Sequence, residues 1–161
     1  MSNCSRRLPD ETALRRLLDE AALRRAAELY AQGADRRDKA LWRAVLAKDC
    51  TIEGPGFRTE GREVCLRSID LLSKMFRATT HRVQNQVVQI VGDEATGETY
   101  GTAEHLLGDA DMILVWSVRY QDAWRRKRGT WRFVRRFLVV DWEETRPVVV
   151  KAVTQTGETE R

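Results

Sequence analysis

Residues 79–91 read T-T-H-R-V-Q-N-Q-V-V-Q-I-V. From His81 onward the residues alternate with a period of two, which predicts a strand over about 80–91 with successive side chains on opposite faces. The chain changes period here. Further strands are predicted over about 96–107, 112–126 and 131–144. The turns between them fall at Gly92-Asp93, Gly108-Asp109 and Lys127-Arg128-Gly129. Four strands joined by short turns make an antiparallel meander.

Upstream, apolar residues recur at helical spacing. Leu14, Leu17 and Leu18 mark one stretch after Pro9-Asp10. A second runs from about Asp19 to Arg36, with Ala22, Ala26, Leu29 and Tyr30 on one side and Gly33 weakening its end. Asp38 is placed to cap a short helix carrying Trp42 and Val45. Cys50 to Glu53 reads as a short strand, ended by Gly54-Pro55-Gly56. Gly61 to Arg77 is helical again. This order predicts an α+β fold: a cone-shaped, curved antiparallel sheet packed against N-terminal helices. The open end of such a cone is a deep apolar pocket.

The 161 residues suit one domain, and 42% hydrophobic content suits one core. The expected division is an N-terminal, partly helical extension over 1–18, the cone over 19–145, and a tail over 146–161 that is disordered after about Thr154. No apolar run approaches the roughly 20 residues that span a bilayer, and the first residues hold no apolar leader core. A cytoplasmic protein with no membrane partner is expected. The net charge of +4 includes arginine pairs at 15–16, 24–25, 36–37 and 125–126, which read as solvated faces and not as a nucleic-acid surface. Cys4, Cys50 and Cys65 show neither pairing nor metal spacing, which fits a reducing compartment. No H-x-x-x-H, C-x-x-C, G-x-G-x-x-G or Walker loop is present, so no metal and no cofactor are expected.

His81 is one of two histidines, and Asp35 ends the second helical stretch. A carboxylate that reaches one imidazole nitrogen fixes the tautomer and leaves the other nitrogen free to take a proton. Taken alone, His81 equally fits a buried histidine bonded to a carbonyl. Tyr30 lies five residues before Asp35, about 140° away on an ideal helix. It converges with Asp35 only if the helix end distorts or the phenol reaches across. Arg136 shares strand parity with Val134, Leu138 and Val140. A cation there needs a partner, either an anion in the pocket or Glu53 or Asp141 outside it. Thr99, Gly101, Ala103 and His105 share one face, whose small residues either leave room for a ligand or admit close helix-on-sheet packing; His105 either joins the site or, the favoured reading, sits exposed at the rim. Asn85 shares the face of His81 and Val83 and is expected to line the pocket. The tryptophans read as core and subunit-contact residues.

Four segments carry a resemblance: Y-A-Q-G-A-D at 30–35, T-I-E-G at 51–54, T-T-H-R-V-Q-N-Q at 79–86 and W-R-F-V-R-R-F-L-V-V-D-W at 131–142. In their order and spacing the chain resembles the SnoaL-like branch of the nuclear-transport-factor-like superfamily. That branch holds hexachlorocyclohexane dehydrochlorinase and bile-acid dehydratase, with scytalone dehydratase more distant. The resemblance implies a catalytic dyad of Asp35 and His81, a substrate contact at Tyr30 and a catalytic arginine at Arg136. It implies pocket-lining positions at Cys50, Leu72, Phe76, Thr79, Gly101 and Ala103. Tyr30 stands where the dehydrochlorinase has lysine, and the chain beyond Trp142 does not match it. A dehydratase is therefore the closer comparison. The expected function is a cofactor-independent, dehydratase-like lyase acting on a cyclic, largely apolar small molecule. An isomerase, a polyketide-type cyclase and a non-catalytic binding module are the alternatives. A homo-oligomer is expected, trimer ahead of dimer.

Overall fold

The computed structural model describes residues 10–150. In chain order the elements are α1 (Glu11–Arg36), α2 (Lys39–Val45), β1 (Leu46–Gly54), β2 (Phe57–Glu60), α3 (Arg62–Met75), β3 (Phe76–Val91), β4 (Glu94–Leu107), β5 (Met112–Lys127) and β6 (Thr130–Pro147). One six-stranded sheet runs β2-β1-β6-β5-β4-β3. The β3–β6 meander is antiparallel throughout. β1 enters parallel to β6, and its antiparallel partner β2 closes that edge. The expected curved sheet under N-terminal helices is thus present. The parallel pairing and β2 were not legible in the alternation.

The two helical stretches expected before Asp38 are one helix of 26 residues. Asp10 caps it, accepting from Thr12 N at 3.3 Å. Asp19, read as a start, lies in its middle, where Arg126 Nη1 donates to it at 2.8 Å and Trp131 Nε1 at 2.9 Å. Two donors from distant strands fix a carboxylate that would otherwise be costly to bury. In its first turns Leu14, Leu17 and Leu18 stay exposed, bordering shallow grooves beside Val88 of β3. Residues 151–161, with the expected disorder, lie outside the described residues.

The core joins Leu23, Ala27 and Tyr30 of α1 to Trp42 of α2, Leu66 and Ile69 of α3, and Trp124, Trp131 and Phe133 of the sheet. Trp142, by contrast, is exposed. Cys50 and Cys65, expected to be unpaired, meet there with sulfurs 3.7 Å apart, both as free thiols. Gly33 allows α2 to fold back: a Cβ there would stand 2.5 Å from Trp42 Cδ1. Trp42 stacks on Tyr30 at 4.3 Å and donates to its carbonyl at 2.7 Å, so it cannot retreat freely. Overpacking costs about 1–3 kcal/mol, against roughly 1 kcal/mol that alanine gains in a helix. Gly33→Ala is therefore expected to lower the urea midpoint. A raised midpoint would show that the indole moves at no cost.

Candidate active site

The last turn of α1 places Asp35 beside the start of β3. Arg37, at φ 56°, ends the helix in the left-handed region. Its side chain turns back, donating from Nη1 to the Ala34 carbonyl at 2.5 Å and to Thr79 Oγ1 at 2.8 Å. It thereby supplies positive charge to a helix end that carries an acid against its dipole. Asp35 accepts three hydrogen bonds. They come from Thr79 Oγ1 at 3.0 Å, the His81 backbone N–H at 2.8 Å and His81 Nδ1 at 2.6 Å. A carboxylate only accepts, so Nδ1 carries the hydrogen. In the neutral ring, Nε2 then holds the lone pair. Nε2 has no hydrogen-bond partner among the described residues.

His81 separates two spaces. On one side is a surface groove of about 340 Å³ lined by Arg24, Gln32, Asp35 and Val83 among others. On the other is an enclosed cavity of about 10 Å³ lined by Tyr30, Thr99, Tyr120 and Arg136. Such a volume is close to that of one water. The expected deep pocket is therefore closed in this conformation. Gly101 contributes to the close fit: a Cβ there would stand 2.9 Å from the Arg82 carbonyl. Ala103 pairs directly with His81 and is buried.

Inside the cavity the charge is organised differently from the expectation for Arg136. Its Nε and Nη2 donate to Asp122 at 2.8 and 2.9 Å, in a direct cross-strand pair. Neither Glu53 nor Asp141 is its partner: those bind Arg135 and Arg119. The guanidinium carbon lies 4.4 Å from the Tyr30 ring, 4.1 Å from Tyr120 and 4.4 Å from Phe133. Asp122 also accepts from Thr99 Oγ1 at 3.1 Å, and Thr99 from Gln86 Nε2 at 3.1 Å. Burial pushes the Tyr30 and Tyr120 phenols up, outweighing the pull of Arg136, so both keep their hydrogens.

Two irregularities explain displaced residues. The β3–β4 register shifts between Val83 and Gln86. The extra residue turns Gln86 inward and leaves Asn85 exposed, so Asn85 does not line the cavity. A second shift, where Trp124 faces Phe133 but Ala123 faces Arg135, puts Arg136 on the inner face with Phe133 instead of with Val134. Cys50 lies in the core against Cys65, apart from the cavity. Leu72 is only partly buried at the core's margin, and its carbonyl accepts from Arg37.

His105, placed at the rim by sequence, is buried at 2% exposure. Its ring lies 4.6 Å from Phe76, 5.7 Å from His81 and 4.9 Å from Trp116. Burial, with the facing His81, holds its pKa down at about 4, against an ordinary 6.5. Between those values the unfolded chain binds a proton that the folded chain refuses. Stability is therefore expected to be complete above pH 6.5 and to fall as pH drops towards 4. Urea midpoints measured across that window should fall more steeply in the wild type than in His105→Asn. Equal slopes would mean that His105 takes up a proton without penalty.

Asp122, Tyr120, Gln86 and Arg37 were not singled out by sequence, whereas Thr99 was placed on the inner face that it does occupy. The parity of Val118, Tyr120, Asp122 and Trp124 does carry a signal, since it sets one acid among inward apolar positions. Among the described residues no cluster of three metal-ligating side chains occurs, and no helix is long and apolar enough to cross a membrane.

Helices covering one face of a strongly curved, mostly antiparallel sheet, with polar groups between the two layers, define the nuclear-transport-factor-like α+β class. Within it, residues 15–137 match the SnoaL-like domain, and the chain belongs to that family. Several solved structures share the fold. A type 2 hexachlorocyclohexane dehydrochlorinase aligns with a TM-score of 0.80 at 19% identity, over 88% of this chain and 98% of its own. A scytalone-dehydratase-like protein from Novosphingobium aromaticivorans aligns at 0.74 and 24%, over 90% and 97%. A type 3 dehydrochlorinase from Novosphingobium barchaimii aligns at 0.78 and 17%, over 86% and 97%. At these identities the likeness establishes the fold alone. No curated protein matches the chain.

Proposed function

We propose that this chain is a lyase of the dehydratase type that acts on a cyclic, largely apolar small molecule and needs no cofactor. The observation that carries the reading is the 2.6 Å contact between Asp35 Oδ1 and His81 Nδ1, with Nε2 unpartnered among the described residues. His81 Nε2 takes a proton from carbon. The electron pair of that C–H bond becomes the new double bond, and the bond to the leaving hydroxyl breaks. Asp35 orients the ring and stabilises the imidazolium, which returns the proton to the departing oxygen as water forms. Tyr30 and Tyr120, both protonated, donate to a carbonyl or to the leaving oxygen. Arg136 is a positioning residue: its charge is matched by Asp122, and it holds the two phenol rings in place. The names of the similar structures, a dehydratase and dehydrochlorinases, denote eliminations and support this class. With the cavity closed, turnover includes an opening step that admits the substrate past His81.

The test is a panel of cyclic β-hydroxy ketones, followed by the ultraviolet absorbance of the conjugated product. Deuterium at the abstracted carbon is expected to slow turnover of the best substrate. Saturable binding across the panel without any product would rule out elimination.

A further inference from the structure

Half of the cations that have no acidic partner among the described residues share one cleft. Most of its arginines meet an acid: Arg24 with Glu28, Arg43 with Glu63, Arg119 with Asp141 and Arg126 with Asp19. Lys48, Lys127, Arg128 and Arg132 have no acidic partner among the described residues, and all four line one cleft of about 640 Å³. Arg62 and Arg125 complete it. The single acid on its walls among the described residues, Asp49, is held by Arg125 at 3.1 Å. Arg62 opens α3, whose first turn has no side-chain cap. Its Nε is buried without a hydrogen-bond partner among the described residues. The neighbouring Glu63 stands 3.6 Å from that nitrogen and bonds Arg43 instead. At the tip of the β5–β6 hairpin, Arg128 holds φ 52° before Gly129 at 76°. That turn position favours asparagine, aspartate or glycine, yet here it carries a guanidinium.

We propose that this cleft binds a small anion carrying two or more phosphate groups. Cations from three elements, β1, α3 and the β5–β6 hairpin, converge on it and repel one another until a multivalent anion enters. Arginine forks match phosphate oxygens in pairs. Among the described residues no aromatic side chain lines the cleft, so these walls offer no platform on which nucleic-acid bases could stack. The cleft is also remote from Asp35 and His81. His81 pairs through Ala103 with Trp116 on β5, while the cleft begins at Arg125 of the same strand. That separation is about 30 Å along the strand. The two sites can therefore succeed or fail independently.

The experiment is calorimetric titration of the full chain with inorganic pyrophosphate, with ionic strength held constant by sodium chloride. Sulfate and a single-stranded oligonucleotide serve as competitors. Lys127 and Arg128 are exposed at a hairpin tip, so Lys127→Gln/Arg128→Gln leaves the fold intact. Pyrophosphate is expected to bind saturably at one site. The double variant should weaken it at least tenfold, and Arg67→Gln, on the exposed face of α3, should leave it unchanged. Affinity should fall as salt rises. The proposal is overturned by no binding at millimolar pyrophosphate, by equal binding in the double variant, or by sulfate binding as tightly. An oligonucleotide that binds more tightly than pyrophosphate would assign the cleft to nucleic acid instead.

Discussion

His81→Ala is expected to lower turnover by roughly 10²- to 10⁴-fold, the usual cost of losing a general base. The ring is partly exposed and packs beside the cavity, so the fold should persist and much of the substrate binding with it. The loss should therefore fall on kcat and only weakly on KM. Asp35→Asn should come close to it, for two reasons. The amide can donate to Nδ1, which would move the ring hydrogen to Nε2 and block proton uptake there. It also removes the charge that stabilises the imidazolium. Because the two groups act as one unit, the double variant should be little worse than either single one. Full activity in both single variants would remove the dyad from the mechanism.

The second large effect is on stability. Arg136 is 2% exposed, and the Asp122 side chain is fully buried. Removing one partner of a buried pair leaves a charge with neither water nor counter-ion, at a cost of about 3–5 kcal/mol. Arg136→Met should therefore lower the unfolding free energy by that amount, read from urea unfolding. Asp122→Leu alone should do the same, because it strands the guanidinium among three aromatic rings. Combining the two should recover at least half of the loss, since hydrophobic replacement of a whole buried pair is commonly neutral or better. The double variant should nonetheless be a poor enzyme, since Tyr30 and Tyr120 lose the plane they pack against. Wild-type stability in either single variant would show that the pair is solvated.

The strands were legible because alternation is a local property, and Gly-Asp turns punctuate it. The two bulges were not. One extra residue in a strand leaves no mark in composition, yet it reverses the facing of everything after it. That is why Asn85 was placed inside when Gln86 is the inward residue, and why Arg136 was grouped with Val134 when it belongs with Phe133. The proximity of Asp35 and His81 was legible only through resemblance to known sequences, since nothing in the spacing brings α1 to β3. Asp122 was missed because a charged residue reads locally as a surface residue. The meeting of Cys50 with Cys65, and the burial of His105, depend on contacts between elements that no window of sequence contains.

The parallel seat of β1 on β6 also sets an order of assembly. The β3–β6 meander joins neighbours in sequence, so its loops close at small entropic cost. Thr51 must instead find Arg135, across almost the entire meander. Contacts of such long separation slow folding. They form only after the last strand is available to receive them. β1, with β2 at its edge, is thus expected to dock late onto a finished meander. Substitutions in β1 should then mainly accelerate unfolding, while those in the β4–β5 pairing should slow refolding.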